Sequence, residues 1–235
     1  MYKLLMPMLM KMRCLCVVLA GIAVGTAGCQ KQDGAPVLDK AEVRLYVGEN
    51  VQLTADRSVT WSSADDFIAA VNGGGNVTAA HVGVTTVTAT SDSCSTSCVV
   101  NVQPRYSTLE EPHYELLLQH SSVLETADLG EVLYTDSDKI AYRGAEPFVD
   151  EVQYWIRNND GVIHRINVVI NDITYEEELV NFLGERYEYY PVSDPSYYQF
   201  LNYYQESEKD EKDLTIVLSP YADHLYLMYL PVSRN

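Results

Sequence analysis

The sequence predicts two unlike domains in succession. A small all-β sandwich comes first, followed by an α+β domain with a mainly antiparallel sheet and one main helix. Three observations carry this prediction. Residues 37–103 hold short runs of alternating apolar residues separated by turn signals, with no helical period. Residues 152–170 alternate over a longer stretch that reverses at Asn158-Asn159-Asp160-Gly161, and apolar residues at helical spacing follow it. Composition changes between the two parts. From Arg105 onward there are 25 acidic and 9 basic residues and 16 of the 18 tyrosines, in a chain of 235 residues with net charge −17. That charge argues against a nucleic-acid partner held by electrostatics.

Residues 1–28 read as an export signal. Lys3, Lys11 and Arg13 make a positive start, and the apolar run from Leu15 to Val24 is too short to span a bilayer. Small residues Thr26-Ala27-Gly28 then precede Cys29. This triplet resembles the lipobox of bacterial lipoproteins, with Thr26 where Leu is usual. The resemblance implies cleavage after Gly28 and lipid on Cys29, so the expected membrane contact is a lipid anchor. Each buried acyl CH₂ contributes about 0.8 kcal/mol, and stable attachment takes more than one chain. A plain secretory signal, with Cys29 as an ordinary thiol, is the other reading. Residues 29–36 read as a tether. Within it, Gln30-Lys31-Gln32-Asp33 loosely matches the signal that sends Bacteroidetes lipoproteins to the outer face; a solvated linker explains it equally. The expected location is the cell envelope, as an outer-membrane lipoprotein presented at the surface.

In the first domain Val43, Leu45 and Val47 alternate, and Gly48-Glu49-Asn50 turns the chain. Val51, Leu53 and Ala55 alternate again, then Val59 with Trp61, and Ile68 with Val71. Asn72-Gly73-Gly74-Gly75-Asn76 is a strong turn. Val77, Val87 with Ala89, and Val100 with Val102 complete the set. Four ordered motifs stand here: Val-Gly-Glu-Asn-Val-Gln-Leu at 47–53, Val-Thr-Trp-Ser-Ser at 59–63, Gly-Asn-Val-Thr-Ala at 75–79 and Gly-Val-Thr-Thr-Val-Thr-Ala at 83–89. Together they resemble the bacterial Ig-like domain of group 2, found in intimin- and invasin-type adhesins. The resemblance implies an Ig-like sandwich, with Trp61 in the core between its sheets, and a spacer at a cell surface. It identifies no ligand.

Cys94 and Cys98 form an even pair in a chain expected to be exported, where disulfides persist. If Ser95-Thr96-Ser97 form a three-residue hairpin loop, the two cysteines face each other with Cα atoms about 4.5–5.5 Å apart, within disulfide range. Closing so short a loop stabilises by roughly 2 kcal/mol.

Residues 104–111 read as a linker, where periodicity fails, and 112–235 as the acidic, tyrosine-rich α+β domain. Pro112 to Leu118 and Ser122 to Ala127 are predicted as short helices. Strands are expected at Val132–Tyr134 and Ile140–Tyr142, around the turn Thr135-Asp136-Ser137-Asp138. The hairpin at 152–170 follows. Thr174-Tyr175-Glu176-Glu177 reads as a capping box, with Leu179, Leu183 and Tyr187 on one helical face and Pro191 as the stop. Phe200–Gln205, Leu214–Leu218 and Leu225–Leu230 read as closing antiparallel strands. The order of hairpin, helix and tyrosine-rich strands is similar to that of uncharacterised Bacteroidetes surface lipoproteins, and this resemblance brings no activity with it.

The search for chemistry yields little. The histidines 81, 113, 120, 164 and 224 make no metal pair, and no nucleophile-elbow, zinc-protease or phosphate-loop motif occurs. No catalytic residue, metal site or cofactor is therefore assigned. His164 lies at an inward strand position and reads as a satisfied core residue. Asp136-Ser137-Asp138 reads as a turn before it reads as a calcium site. Tyrosines cluster at 187–204, and Tyr197, Tyr198, Tyr203 and Tyr204 are the candidate ligand contacts. Tyr offers a rigid apolar face and a polar end, which suits a glycan or a protein. It is also a good strand residue that simply covers sheets. The leading expectation is a non-catalytic surface lipoprotein that presents a binding or adhesion domain on a spacer. The alternative is a surface-polymer hydrolase using carboxylates of the second domain. A structural lipoprotein facing the periplasm is a third reading.

Overall fold

The computed structural model describes residues 34–194, 196–203 and 213–232. The expected export signal, Cys29 and Tyr204 lie outside the described residues. In the first domain the strands are β1 (Glu42–Tyr46), β2 (Asn50–Gln52), β3 (Thr60–Ser63), β4 (Ala69–Val71), β5 (Asn76–Ala79), β6 (Gly83–Ser91) and β7 (Cys94–Gln103). They form two sheets, β1-β7-β6-β3 and β2-β5-β4. β1 runs parallel to β7, from Glu42 opposite Val99 to Tyr46 opposite Gln103; the other pairs are antiparallel. The period-two pattern turns Val43, Leu45, Val87, Val100 and Val102 of one sheet toward Leu53, Ala69, Val77 and Ala79 of the other, and these make one core.

Trp61 differs from expectation. It packs against this core while remaining half-buried, at the rim rather than enclosed. The turn at 72–76 explains its seat. Gly75 has φ +83°, and a Cβ there would meet the Leu53 carbonyl oxygen at 2.6 Å and Trp61 Cε2 at 2.9 Å. Only glycine lets the backbone reach this conformation and lets the indole lie on it.

The Cys94–Cys98 pairing is overturned. The β6–β7 hairpin turns at Asp92-Ser93, with Ser91 opposite Cys94, so both cysteines lie on β7, Cys98 opposite Val87. Residues four apart on one strand are separated by roughly 13 Å, far beyond disulfide reach. Cys98 is a free, buried thiol.

The second domain holds β8 (Val132–Thr135), β9 (Lys139–Arg143), β10 (Val149–Ile156), β11 (Ile163–Ile170), α1 (Glu176–Gly184), β12 (Glu188–Tyr190), β13 (Tyr198–Leu201), β14 (Leu214–Tyr221) and β15 (His224–Pro231). Its eight-stranded sheet has the order β12-β13-β14-β15-β11-β10-β9-β8, antiparallel throughout. One face carries the core: Tyr154, Ile166, Val168, Ile170, Phe200, Ile216, Leu218, Leu225, Leu227 and Tyr229 meet Leu179, Phe182 and Leu183 of α1. Short 3₁₀ stretches, Tyr114–Leu116 and Ser121–Glu125, replace the two expected helices; Leu117, just after the first, and Leu124, within the second, join the same core.

The main helix begins and ends elsewhere than predicted. A 3₁₀ turn, Ile173–Tyr175, leads into it. Asp172 caps that turn: its carboxylate accepts from the Thr174 backbone N–H at 2.9 Å and from the Thr174 hydroxyl at 2.6 Å. α1 itself starts at Glu176 with no side-chain cap. The Thr174 side chain is thereby spent on Asp172. α1 stops at Gly184, well before Pro191, which leaves room for β12.

Candidate functional site

The face of the large sheet opposite α1 is built by strand register. Cross-strand partners run from Tyr134 to Ala141, then Gln153, Asn167, Met228, Val217, Gln199 and Tyr190. The row therefore crosses every strand, roughly 34 Å at about 4.8 Å per strand, and has a tyrosine at each end. Among the described residues, the helical segments bury their apolar side chains in the core on the other face. Trp155, Arg165, Val217, Tyr226 and Met228 of this face are half-exposed, while Ala141, Gln153, Asn167 and Val169 are buried.

Trp155 is the centre of the polar half. It pairs with Lys139 on one side and Arg165 on the other. The Lys139 ammonium lies 4.7 Å from the indole centroid and the Arg165 guanidinium 4.1 Å, so the ring sits between two cations. Trp155 Nε1–H donates to Gln153 Oε1 at 2.9 Å. Gln153 Nε2–H donates to Glu151 at 2.6 Å, and Asn167 donates to Gln153 Oε1 at 3.3 Å. Two buried polar atoms of this face, Asn167 Oδ1 and Arg165 Nε, have no hydrogen-bond partner among the described residues. Burial pulls the Arg165 guanidinium below its usual pKa, against the opposing charge of Asp138. Burial of the hydroxyl, followed by the Glu151 carboxylate bonded to it, pushes Tyr134 up to about 12.

The candidate tyrosines are placed differently from expectation. Tyr203 is buried, which makes it a packing residue and not a contact. Tyr198 packs on the core, and its hydroxyl donates to Glu176 at 2.8 Å. Tyr197 is half-buried just before β13. The large exposed aromatics of this region are instead Tyr189 and Tyr190, with Tyr134 and Tyr221 farther along the sheet. Sequence clustering could not distinguish them, since facing depends on register. The row Tyr134–Gln153–Asn167 leaves no local sequence signal, because its members come from three strands.

His164 departs from the expected satisfied core position: it lies half-exposed at the register shift between Ile163 and Arg165, where Ile163 takes the core place. Its Nδ1 is buried without a hydrogen-bond partner among the described residues, and burial holds its pKa below the ordinary range. A partly buried carboxylate, Glu111, accepts from Tyr187 at 2.6 Å and Tyr229 at 3.0 Å. Both rings are buried, and burial, then the Glu111 charge, drives both hydroxyls far above the usual range. The arrangement fixes residues 111–112 to the core. Among the described residues, no group of three or more His, Cys, Asp or Glu could hold a metal ion, and no helix is long and apolar enough to cross a membrane.

Comparison with known proteins adds one firm result. Residues 32–102 match the family model of the bacterial Ig-like domain (group 2). No curated protein matches the chain. Among solved structures, domains 5-6 of the S-layer protein SbsC are 12% identical, covering 85% of this chain and 87% of that one, with a TM-score of 0.25. Human Protocadherin-24 EC1-2 is 12% identical, covering 84% and 93%, with a TM-score of 0.24. Neither likeness is strong enough to bear on this chain. The two-sheet sandwich and the family match agree, and the first domain of this chain is a bacterial Ig-like domain of group 2, of the kind typical of surface and adhesion proteins.

Proposed function

We propose that this chain is a membrane-anchored, non-catalytic surface protein. Cys29 carries the lipid, the Ig-like domain is a spacer, and the face of the eight-stranded sheet opposite α1 holds a glycan or protein ligand. The observation that supports this reading is the row from Tyr134 to Tyr190, with Trp155 held between Lys139 and Arg165. Trp, Tyr and Arg are the residues that dominate contact energy at binding surfaces. The neighbouring amides of Gln153 and Asn167 give the face direction-specific donors and acceptors.

The test has two arms. Full chain on arrays of glycans and extracellular proteins should retain a ligand, and Trp155→Ala or Asn167→Leu should weaken it at least tenfold, about 1.4 kcal/mol, at a temperature where circular dichroism shows each variant folded. A ligand held equally by both variants would remove the face from the proposal. Separately, Cys29→Ala should abolish partitioning into membranes; persistence after a high-salt wash would remove the anchor.

A further inference from the structure

The segment between the two domains is gripped by two consecutive residues at the end of α1. Glu185 is only 6% exposed. Its Oε2 accepts from the backbone N–H of Arg105 at 2.8 Å and of Tyr106 at 3.0 Å. Arg186 grips the same segment from its other polar side, donating from Nη2 to the Tyr106 carbonyl at 3.2 Å. Its Nε lies 3.7 Å from Glu111. Arg186 is itself held by Nη1 donating to the Phe182 carbonyl at 2.9 Å and by the Phe182 ring beneath its guanidinium. Residues 105–111 are thus fastened to the helix by their backbone and by Glu111.

The same corner reaches the Ig-like domain. The Glu185 carbonyl accepts from the Val82 N–H at 2.7 Å. The Arg105 side chain donates to Glu49 at 3.2 Å and lies 4.8 Å over the Tyr46 ring. His81, stacked on Phe67 at 4.0 Å, places Nε2 3.7 Å from Glu188 at the start of β12. A carboxylate as buried as Glu185 is costly unless hydrogen bonds satisfy it, and the groups that satisfy it are the backbone donors of the linker.

We propose that Glu185 and Arg186 form a clamp that makes the linker and both domains one stiff arm, instead of two bodies on a free joint. Glu185 is the hub: its side chain fixes the linker, and its backbone carbonyl meets the Ig-like domain. The clamp sets the direction in which the second domain points, whatever that domain holds, so it stands apart from the binding reading above.

Amide hydrogen exchange on the full chain tests it. In the native chain Val82, Arg105 and Tyr106 should exchange at least about a hundredfold more slowly than unstructured amides. In Glu185→Ala all three should lose that protection while Val100 and Val168 keep theirs, and tryptic cleavage after Arg105 should accelerate at least tenfold. Glu185→Gln, which retains an acceptor oxygen, should restore part of the protection. Native Val82 and Arg105 amides exchanging within tenfold of the unstructured rate would overturn the clamp, and this reading needs no variant to fold. Loss of protection at Arg105 and Tyr106 with Val82 unchanged would equally overturn the single arm.

Discussion

Gly75 and Trp61 show how much one residue decides in a domain this small. Gly75→Ala would force an L-residue into the left-handed region and press its Cβ on Leu53 and Trp61. The conformational part alone is about 1–2 kcal/mol, so a loss larger than that is expected in denaturant titrations. Trp61→Ala should cost about 3 kcal/mol, the low end for a large core aromatic, because the indole is half-exposed. Cys98 gives a chemical test. Burial raises its thiol pKa, so an alkylating reagent should leave it unmodified in the native chain and label it on unfolding. His164 gives a pH test. Its folded pKa lies below 6.5, so on acidification the unfolded chain takes up the proton first. Stability is therefore lost as pH falls from about 6.5 through the folded value. His164→Leu should show a flatter dependence of melting temperature on pH between 5 and 7; an equal slope would sink the assignment.

Elements were legible where side-chain period alone decides them. The β10–β11 hairpin and its turn stand where the alternation predicts, closed by Gly161 at φ +70°, and so do β8 and β9. The β6–β7 turn was not found, although Cys94, Cys98, Val100 and Val102 keep an unbroken inward alternation that marks continuous strand. Reading a loop between the cysteines broke that period. The turn has its own signal in Asp92, which adopts φ +54°, a conformation Asp tolerates better than most residues. Asp92→Gly should be neutral or stabilise by up to about 1 kcal/mol, whereas Asp92→Val should destabilise by about 1–2 kcal/mol, both read as shifts in midpoint. α1 was legible as a helix but not at its limits. Asp172 lies two residues before Thr174 and takes up the hydroxyl that the capping box would need, and β12 is too short to announce itself beside Pro191. The sheet face opposite α1 was illegible for a different reason: which residues share a row depends on pairing among strands far apart in sequence.

At the scale of the whole molecule, each domain closes its own apolar interior. The core of the second is drawn entirely from Leu109 to Tyr229, so a fragment from Arg105 to Asn235 should fold alone, with a sheet-type circular dichroism spectrum and a cooperative melt. The fragment carries nearly all of the net charge of −17, and like charges at that density repel. Raising salt from 0.1 to 1 M shortens the screening length from about 10 to about 3 Å, and the melting temperature of the full chain should rise. A fall would mean that ion pairs outweigh the repulsion. One feature of the Ig-like domain has a mechanical meaning. The chain enters that domain on β1 and leaves it on β7, and these two strands lie side by side and parallel. Tension drawn between the two ends therefore slides the strands past one another along their length. The rungs from Glu42–Val99 to Tyr46–Gln103 then carry the load together, instead of parting one at a time like a zip. A domain loaded in shear is hard to pull open, which suits a spacer that must stay folded while its two ends are drawn apart.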